Sequence, residues 1–396
     1  MGGGCLNCKR NGKGKEYDEN GKIIFEGEYL YGKAHGCGKK YYELNKIKFE
    51  CNYVNGKAHG KGKLYYKTGE LFMECEYLKG KANGYGKQYY RNGKLIFECN
   101  YINGIANGKG KQYYSNGNLF FEGEFLDGKP NKECKEYYSN GQLKFVGNYI
   151  NGKKDGKYTE YYDDGSLLFE CEYLNGKKNG KVIEYRKNKS IVYEGEYLNG
   201  KKNGKGKIYY ENGNLFFEGE FSNGLRNGKG KEFHENGQLS YEGDFLNDKM
   251  DGKVKVYYDN GNLKLETEYI KGKLNGKQRR YYKNGNLKSD ANFKDGECEG
   301  YLIEYLENGK TAYEGEYVKG EIIKFKEYND KGILIAEGNA KNGYMNGEGI
   351  LYYENGKLKY EGEFKNSKKH GKGKEYDENG KLIFEGEYSE DNKIEK

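Results

Sequence analysis

The sequence predicts an all-β chain: an elongated single-layer antiparallel meander of tandem β-hairpins. Three observations lead there. A motif recurs every 24 residues along almost the whole chain. Each recurrence carries two clusters of turn-forming residues at fixed offsets. Between the turns, aromatic and charged residues alternate, which is the period of a strand with two unlike faces.

The recurrence comes first, because a fixed period decides the architecture. Gly-x-Gly or its remnant begins at Gly12, Gly36, Gly60, Gly84 and Gly108, and the same register runs from Gly156 to Gly300. One residue is lost before Gly347, and Gly371 restores the step. The unit from Gly204 reads GKGKIYYENGNLFFEGEFSNGLRN. Its first run ends in Tyr-Tyr, and Glu-Asn-Gly-Asn follows; Asn-Gly is a strong hairpin signal because both residues accept positive φ. Its second run is Leu-Phe-Phe-Glu-Gly-Glu-Phe, closed by Asn-Gly-x-x-Asn-Gly, again rich in residues suited to left-handed geometry. Each repeat therefore reads as one hairpin, and neighbouring strands should pair in sequence order.

Alternation sorts the faces. One aromatic column runs through Phe25, Phe49, Phe97, Phe121, Phe145 and Phe169, and recurs at Phe217 and Phe384. A second runs through Tyr29, Tyr53, Tyr77, Tyr101, Phe125, Tyr149 and Tyr173. Together they define a candidate partner-binding aromatic face, with glycine between the rings. The opposite face carries Glu from one strand beside Lys or Glu from the next. With only 35% hydrophobic residues, a second packed layer is not available, so one twisted sheet is expected, stabilised repeat by repeat.

Residues 1–11 read as a flexible tail, 12–388 as the array (irregular at about 289–345), and 389–396 as a polar tail. Gly12–Tyr29 and Gly371–Tyr388 differ only at Ile23 against Leu382. Both carry Tyr-Asp where most inner units have Tyr-Tyr, which reads as a pair of caps whose charge keeps edge strands apart. Around Pro130, Lys132 and Cys134 replace the paired glycines.

The net charge of +8 comes from 69 basic and 61 acidic residues whose signs are interleaved, and the basic residues are mostly Lys. This excludes a nucleic-acid-binding surface. No apolar run reaches transmembrane length, and no hydrophobic leader opens the sequence. A cytoplasmic chain is expected, peripheral at the cytoplasmic face of a membrane.

Tyr193, Gly195, Gly200, Gly204, Gly206 and Tyr210 match Tyr-x-Gly-x-x-x-x-Gly-x-x-x-Gly-x-Gly-x-x-x-Tyr. That spacing resembles the MORN repeat family (membrane occupation and recognition nexus). The step here is 24 residues against the family's usual 23, with the extra residue after Asn-Gly. In this the chain looks like a MORN variant also met in bacterial antitoxin-like proteins. The resemblance implies a non-catalytic protein scaffold, often at membranes or cytoskeletal structures and sometimes binding phospholipid.

Candidate sites follow from the residues. Gly2 after Met1 is what N-myristoylation requires, Cys5 and Cys8 could take palmitate, and Lys9 and Arg10 suit an anionic leaflet. A lysine column lies in the second turn: Lys33, Lys57, Lys81, Lys129, Lys153, Lys177, Lys201, Lys249 and Lys273. Ile105, Leu225 and Glu297 interrupt it, and it would form a basic ridge along one edge, facing anionic lipid. Cys51, Cys75, Cys99 and Cys171 occupy the place of Gly27, two strands apart in consecutive repeats and beyond disulfide reach. Cys5-x-x-Cys8 has no second ligand pair for zinc. His35, His59 and His370 are one turn position repeated, so no catalytic cluster, metal or cofactor is expected, and no enzyme. Three functions compete: a scaffold with protein partners, an antitoxin-like regulator that masks a toxin or enzyme, and a self-associating rod.

Overall fold

The structure, a computed structural model, describes residues 5–6 and 9–394. The chain forms two compact units, Met1–Gly200 and Lys201–Lys396. In the first, sixteen strands from Gly12–Tyr17 to Ile191–Leu198 pair antiparallel in sequence order. In the second, seventeen strands from Lys201–Tyr209 to Asn392–Ile394 do the same. Among the described residues no pairing joins the first strand of a unit to its last, so each sheet is open.

Each repeat alternates a two-residue and a longer turn. Asn55 and Gly56, with φ of 53° and 83°, turn strand Ile47–Val54 into strand Lys57–Tyr65. Positive φ at both central residues matches the twist of the flanking strands, which is why Asn-Gly recurs here. The sequence suggested a six-residue turn at this place. Instead the strand restarts at Lys57, and the second glycine, Gly60 at φ 74°, lies inside it. The register shifts at Cys51/Asn52, opposite this segment, so the glycine absorbs a bulge rather than a turn. The residue lost in the irregular stretch falls there too: Glu321–Tyr328 is one residue shorter than its counterparts and has no positive-φ residue, and the meander continues through it.

The core is the aromatic face. Phe25 meets Tyr53 edge-on, with centroids 5.4 Å apart, and Phe97 meets Phe125 at 5.4 Å. A Cβ on Gly38 would lie 2.7–2.9 Å from ring carbons of Phe25 and Tyr53, so glycine is the floor on which the rings lean. Ala58 is buried among the rings in the early repeats. Later a cation takes that place: Lys154 lies 4.4 Å from the Phe145 centroid, and Lys178 lies 3.6 Å from Phe169 while pairing with Glu184 at 2.9 Å. A tyrosine ladder joins repeats along the longer turns: the Tyr42 hydroxyl donates to the Tyr65 carbonyl at 2.9 Å, and Tyr66 to Tyr89 at 2.9 Å.

The ends depart from expectation in two ways. Residues assigned to tails join the sheet: Asn392–Ile394 pairs with Leu382–Ser389, and the Gly32 amide donates to the Arg10 carbonyl at 2.9 Å. Arg10 lies 5.7 Å from the Tyr29 ring and 3.6 Å from Glu16, while Lys393 lies 4.9 Å from Phe384 and 3.1 Å from Glu375. Each takes the over-ring place for its repeat. Asp18 and Asp377 do not aim their charge along an edge strand. The Asp18 carboxylate accepts from the amides of Asn20 at 3.0 Å and Lys22 at 2.8 Å, and Asp377 does the same with Asn379 and Lys381. They cap turns, where a short carboxylate reaches the backbone.

Candidate functional site

Three surfaces are available to a partner. The aromatic columns are the least open. Of the thirteen rings singled out from the sequence, Phe25, Tyr29, Tyr53, Phe97, Tyr101, Phe121, Phe125, Phe145 and Phe169 are buried, and Phe49, Tyr77, Tyr149 and Tyr173 are half-buried. Burial pushes the phenols of Tyr53, Tyr77 and Tyr101 up to about 12. Burial also raises the thiols of Cys51, Cys75 and Cys99, which are free and sit among the rings.

The charged face forms a groove in each unit. In the first, a cavity of about 1590 Å³ is lined by six lysines and five glutamates, from Lys13 to Lys87. Tyrosines at the strand ends hold the carboxylates: Tyr41 donates to Glu26 at 3.0 Å and Tyr65 to Glu50 at 2.6 Å. In the second unit a cavity of about 1440 Å³ is lined by eight glutamates and four lysines. There Glu348 stands directly opposite Glu363, where the first unit has Lys61 opposite Glu76.

The third surface is the edge of two-residue turns. All nine column lysines are exposed and open their strands, and among the described residues none is in an ion pair. The stems run over the next turn, with the Lys57 Cβ 3.8 Å from where a Cβ on Gly80 would lie. Sequence reasoning missed what lies beside them. Leu30, Val54, Leu78, Ile102, Leu126, Ile150 and Leu174 close the preceding strands. They pair directly with Lys33, Lys57, Lys81, Ile105, Lys129, Lys153 and Lys177. The signal was present: a Leu, Val or Ile two residues before the turn glycine, every 24 residues, on the parity of the charged face.

Gly2 and Cys8 lie outside the described residues, and Cys5 is described only through its strand, Cys5–Leu6, paired with Lys9–Arg10. Among the described residues no His/Cys/Asp/Glu group could hold a metal ion. His234 takes the ladder position of a tyrosine, its Nε2 3.1 Å from the Tyr257 carbonyl. No helix among the described residues is long and apolar enough to cross a membrane.

The MORN repeat matches residues 52–70, 193–215, 217–238 and 360–381. The MORN repeat variant matches nine further segments: 10–31, 34–55, 82–103, 106–127, 130–151, 154–175, 250–271, 274–295 and 345–366. The chain belongs to the MORN repeat family. As a MORN protein it is a repeat scaffold or binding module. No curated protein matches it. Among solved structures, TcdB2-TccC3-Cdc42 is similar at 12% identity and a TM-score of 0.16, over 89% of this chain and 21% of that one. The Photorhabdus luminescens Tc holotoxin pore (TccC3-D651A mutation) is similar at 11% identity and a TM-score of 0.16, over 96% of this chain and 24% of that one. The chain thus spans under a quarter of their length, and at these scores the likeness carries no argument.

Proposed function

We propose that this MORN protein is a non-catalytic scaffold that rests on an anionic membrane surface by its turn edge and offers its grooves to protein partners. The observation that carries the reading is the exposed lysine column, a cation at the same place in six of the first unit's seven two-residue turns that open a strand there, interrupted by Ile105, and outside any ion pair. In the first unit Lys33, Lys57, Lys81, Lys129, Lys153 and Lys177 supply it; Lys201, Lys249 and Lys273 follow in the second. A lysine near an anionic leaflet contributes about 1 kcal/mol, so several acting together suffice for peripheral binding. Acylation at Gly2, with palmitate on Cys5 or Cys8, would supply a second anchor, since a single chain holds weakly. The grooves remain open on the charged face for a protein.

The test is co-sedimentation of the full chain with phosphatidylcholine vesicles, with and without phosphatidylserine, at low salt. Binding that needs phosphatidylserine and falls when Lys57, Lys81, Lys129 and Lys153 become Glu supports the reading. Equal recovery with both vesicle types overturns it. Membrane release of Gly2→Ala in expressing cells tests the second anchor separately.

A further inference from the structure

We infer that the turn edge of the first unit inserts a row of aliphatic side chains into the headgroup–acyl boundary of the bilayer. This rests on the membrane reading above and adds to it: the edge is a blade that penetrates, not only a row of charges.

The row starts at Leu30 and recurs at every 24th residue to Leu198, an aliphatic residue at all eight positions. Every one is exposed, from 41% at Val54 to 55% at Ile150. The fold does not need them. In the second unit the corresponding positions close the same kind of strand before the same kind of turn. There Ser222, Lys294, Lys341, Lys365 and Ser389 replace the aliphatic residue, and only Leu246, Ile270 and Val318 keep it. The turn residue that follows has φ of 49–53° in the first unit and 46–54° in the second, so the backbone is indifferent to what precedes it. Eight consecutive half-exposed aliphatic residues, where serine and lysine serve the fold equally, call for an apolar environment outside the chain.

Spacing and charge select the occupant. Successive members are two strands apart, about 9–10 Å between backbones, and in all but one case the residue paired between them is a lysine. Ile102 and Ile105 pair directly and are both exposed, but elsewhere the row makes no contiguous patch of the kind that a protein pocket or a second copy buries. A bilayer takes isolated side chains one at a time, at no cost in shape complementarity. Six of the seven directly paired residues in this unit are lysines, which places a cation for a phosphate beside six of the inserted side chains; Ile102 pairs with Ile105 instead. Apolar insertion flanked by headgroup cations is the physics of interfacial membrane binding.

Two measurements on the full chain test this. The first compares wild type with Leu78→Ser/Leu126→Ser/Leu174→Ser on phosphatidylserine-containing vesicles at low and high salt. The substitutions install a residue the fold already accepts at Ser222 and Ser389, and circular dichroism confirms the fold. Salt screens the lysines but not the inserted side chains. Wild type should keep part of its binding at high salt, and the variant should lose that part, about tenfold or more in affinity. A variant that binds like wild type at both salts overturns insertion while leaving the lysine edge standing. No binding of wild type even at low salt overturns both. The second uses the absence of tryptophan from the chain. Leu126→Trp should shift to the blue on vesicles and be quenched by lipids brominated in the acyl chain, while Lys67→Trp, at a longer turn, should not. A vesicle-bound Leu126→Trp that stays unshifted overturns the inference, as does loss of blue shift in favour of a stoichiometric protein partner at the same edge.

Discussion

The two units share a strand pattern, a turn geometry and a ring core, yet differ on both open surfaces. The first has an unbroken aliphatic edge and a groove of six lysines against five glutamates. The second keeps three of eight aliphatic positions and has a groove of eight glutamates against four lysines. The repeat thus fixes what closes the fold: rings, the glycines beneath them and the tyrosine hydroxyls that bind the next repeat. It leaves the turn edge and the charged face free. Differences confined to the free positions bear on partners, and similarities at the fixed positions bear on stability, so the comparison can be broken by perturbing each class in both units.

The largest effect should come from the buried phenols, because it is collective. Burial raises Tyr53, Tyr77, Tyr101 and Tyr193 in the first unit and Tyr360 in the second to about 12, against 10 when exposed. Folding holds these phenols neutral. Their contribution is complete below pH 10 and is lost as pH rises towards 12, because the unfolded chain ionises first. Denaturant midpoints should be level up to pH 9 or so and then fall steeply in both units, read by hydrogen exchange unit by unit. A midpoint unchanged at pH 11 would contradict the buried state of the columns. Next come single rings. Phe145 is 1% exposed and Phe217 0%. Replacing either by Ala should cost about 3–5 kcal/mol in its own unit. Unequal losses would show that the two cores are not equivalent. Smaller again is the glycine floor. A Cβ on Gly38 would lie 2.7 Å from Phe25, and one on Gly230 2.7 Å from Phe217. Gly38→Ala and Gly230→Ala should each cost about 1–3 kcal/mol by urea unfolding.

Much of this was legible in the sequence, for physical reasons that also mark where legibility ended. A 24-residue step with Asn-Gly at fixed offsets leaves few topologies, and period-two alternation separated Phe25 and Tyr29 from Glu26 and Glu28 without error. The bulge at Gly60 was hidden because a glycine at positive φ reads the same in a turn and in a strand. The depth of the aromatic columns was hidden as well: alternation gives the face a ring points to, not that it leans across Gly38 towards its neighbour and closes the face. The over-ring places of Arg10 and Lys393 could not be read because they depend on which residue follows a two-residue turn in space. The aliphatic row was overlooked for a simpler reason. Leu30 looks like the last apolar residue of an apolar strand, and only its parity, shared with Glu26 and Glu28, shows that it points away from the core.

The smallest expected effect is also the sharpest test of the groove comparison. Lys61 opposite Glu76 in the first unit and Glu348 opposite Glu363 in the second occupy the same cross-strand place. Opposite charges at such a place stabilise, and like charges destabilise, by about 0.2–1 kcal/mol. Glu348→Lys should therefore stabilise the second unit, and Lys61→Glu should weaken the first by a similar amount, both measured by chemical denaturation. Both changes should shrink at high salt, since both pairs face water in the groove. Opposite signs of equal size would mean that the acidic groove is held against a small folding cost, as expected of a surface kept for a cationic partner. If Glu348→Lys leaves stability unchanged while Lys61→Glu lowers it, the second groove already relaxes its like charges, and its acidity carries no folding cost.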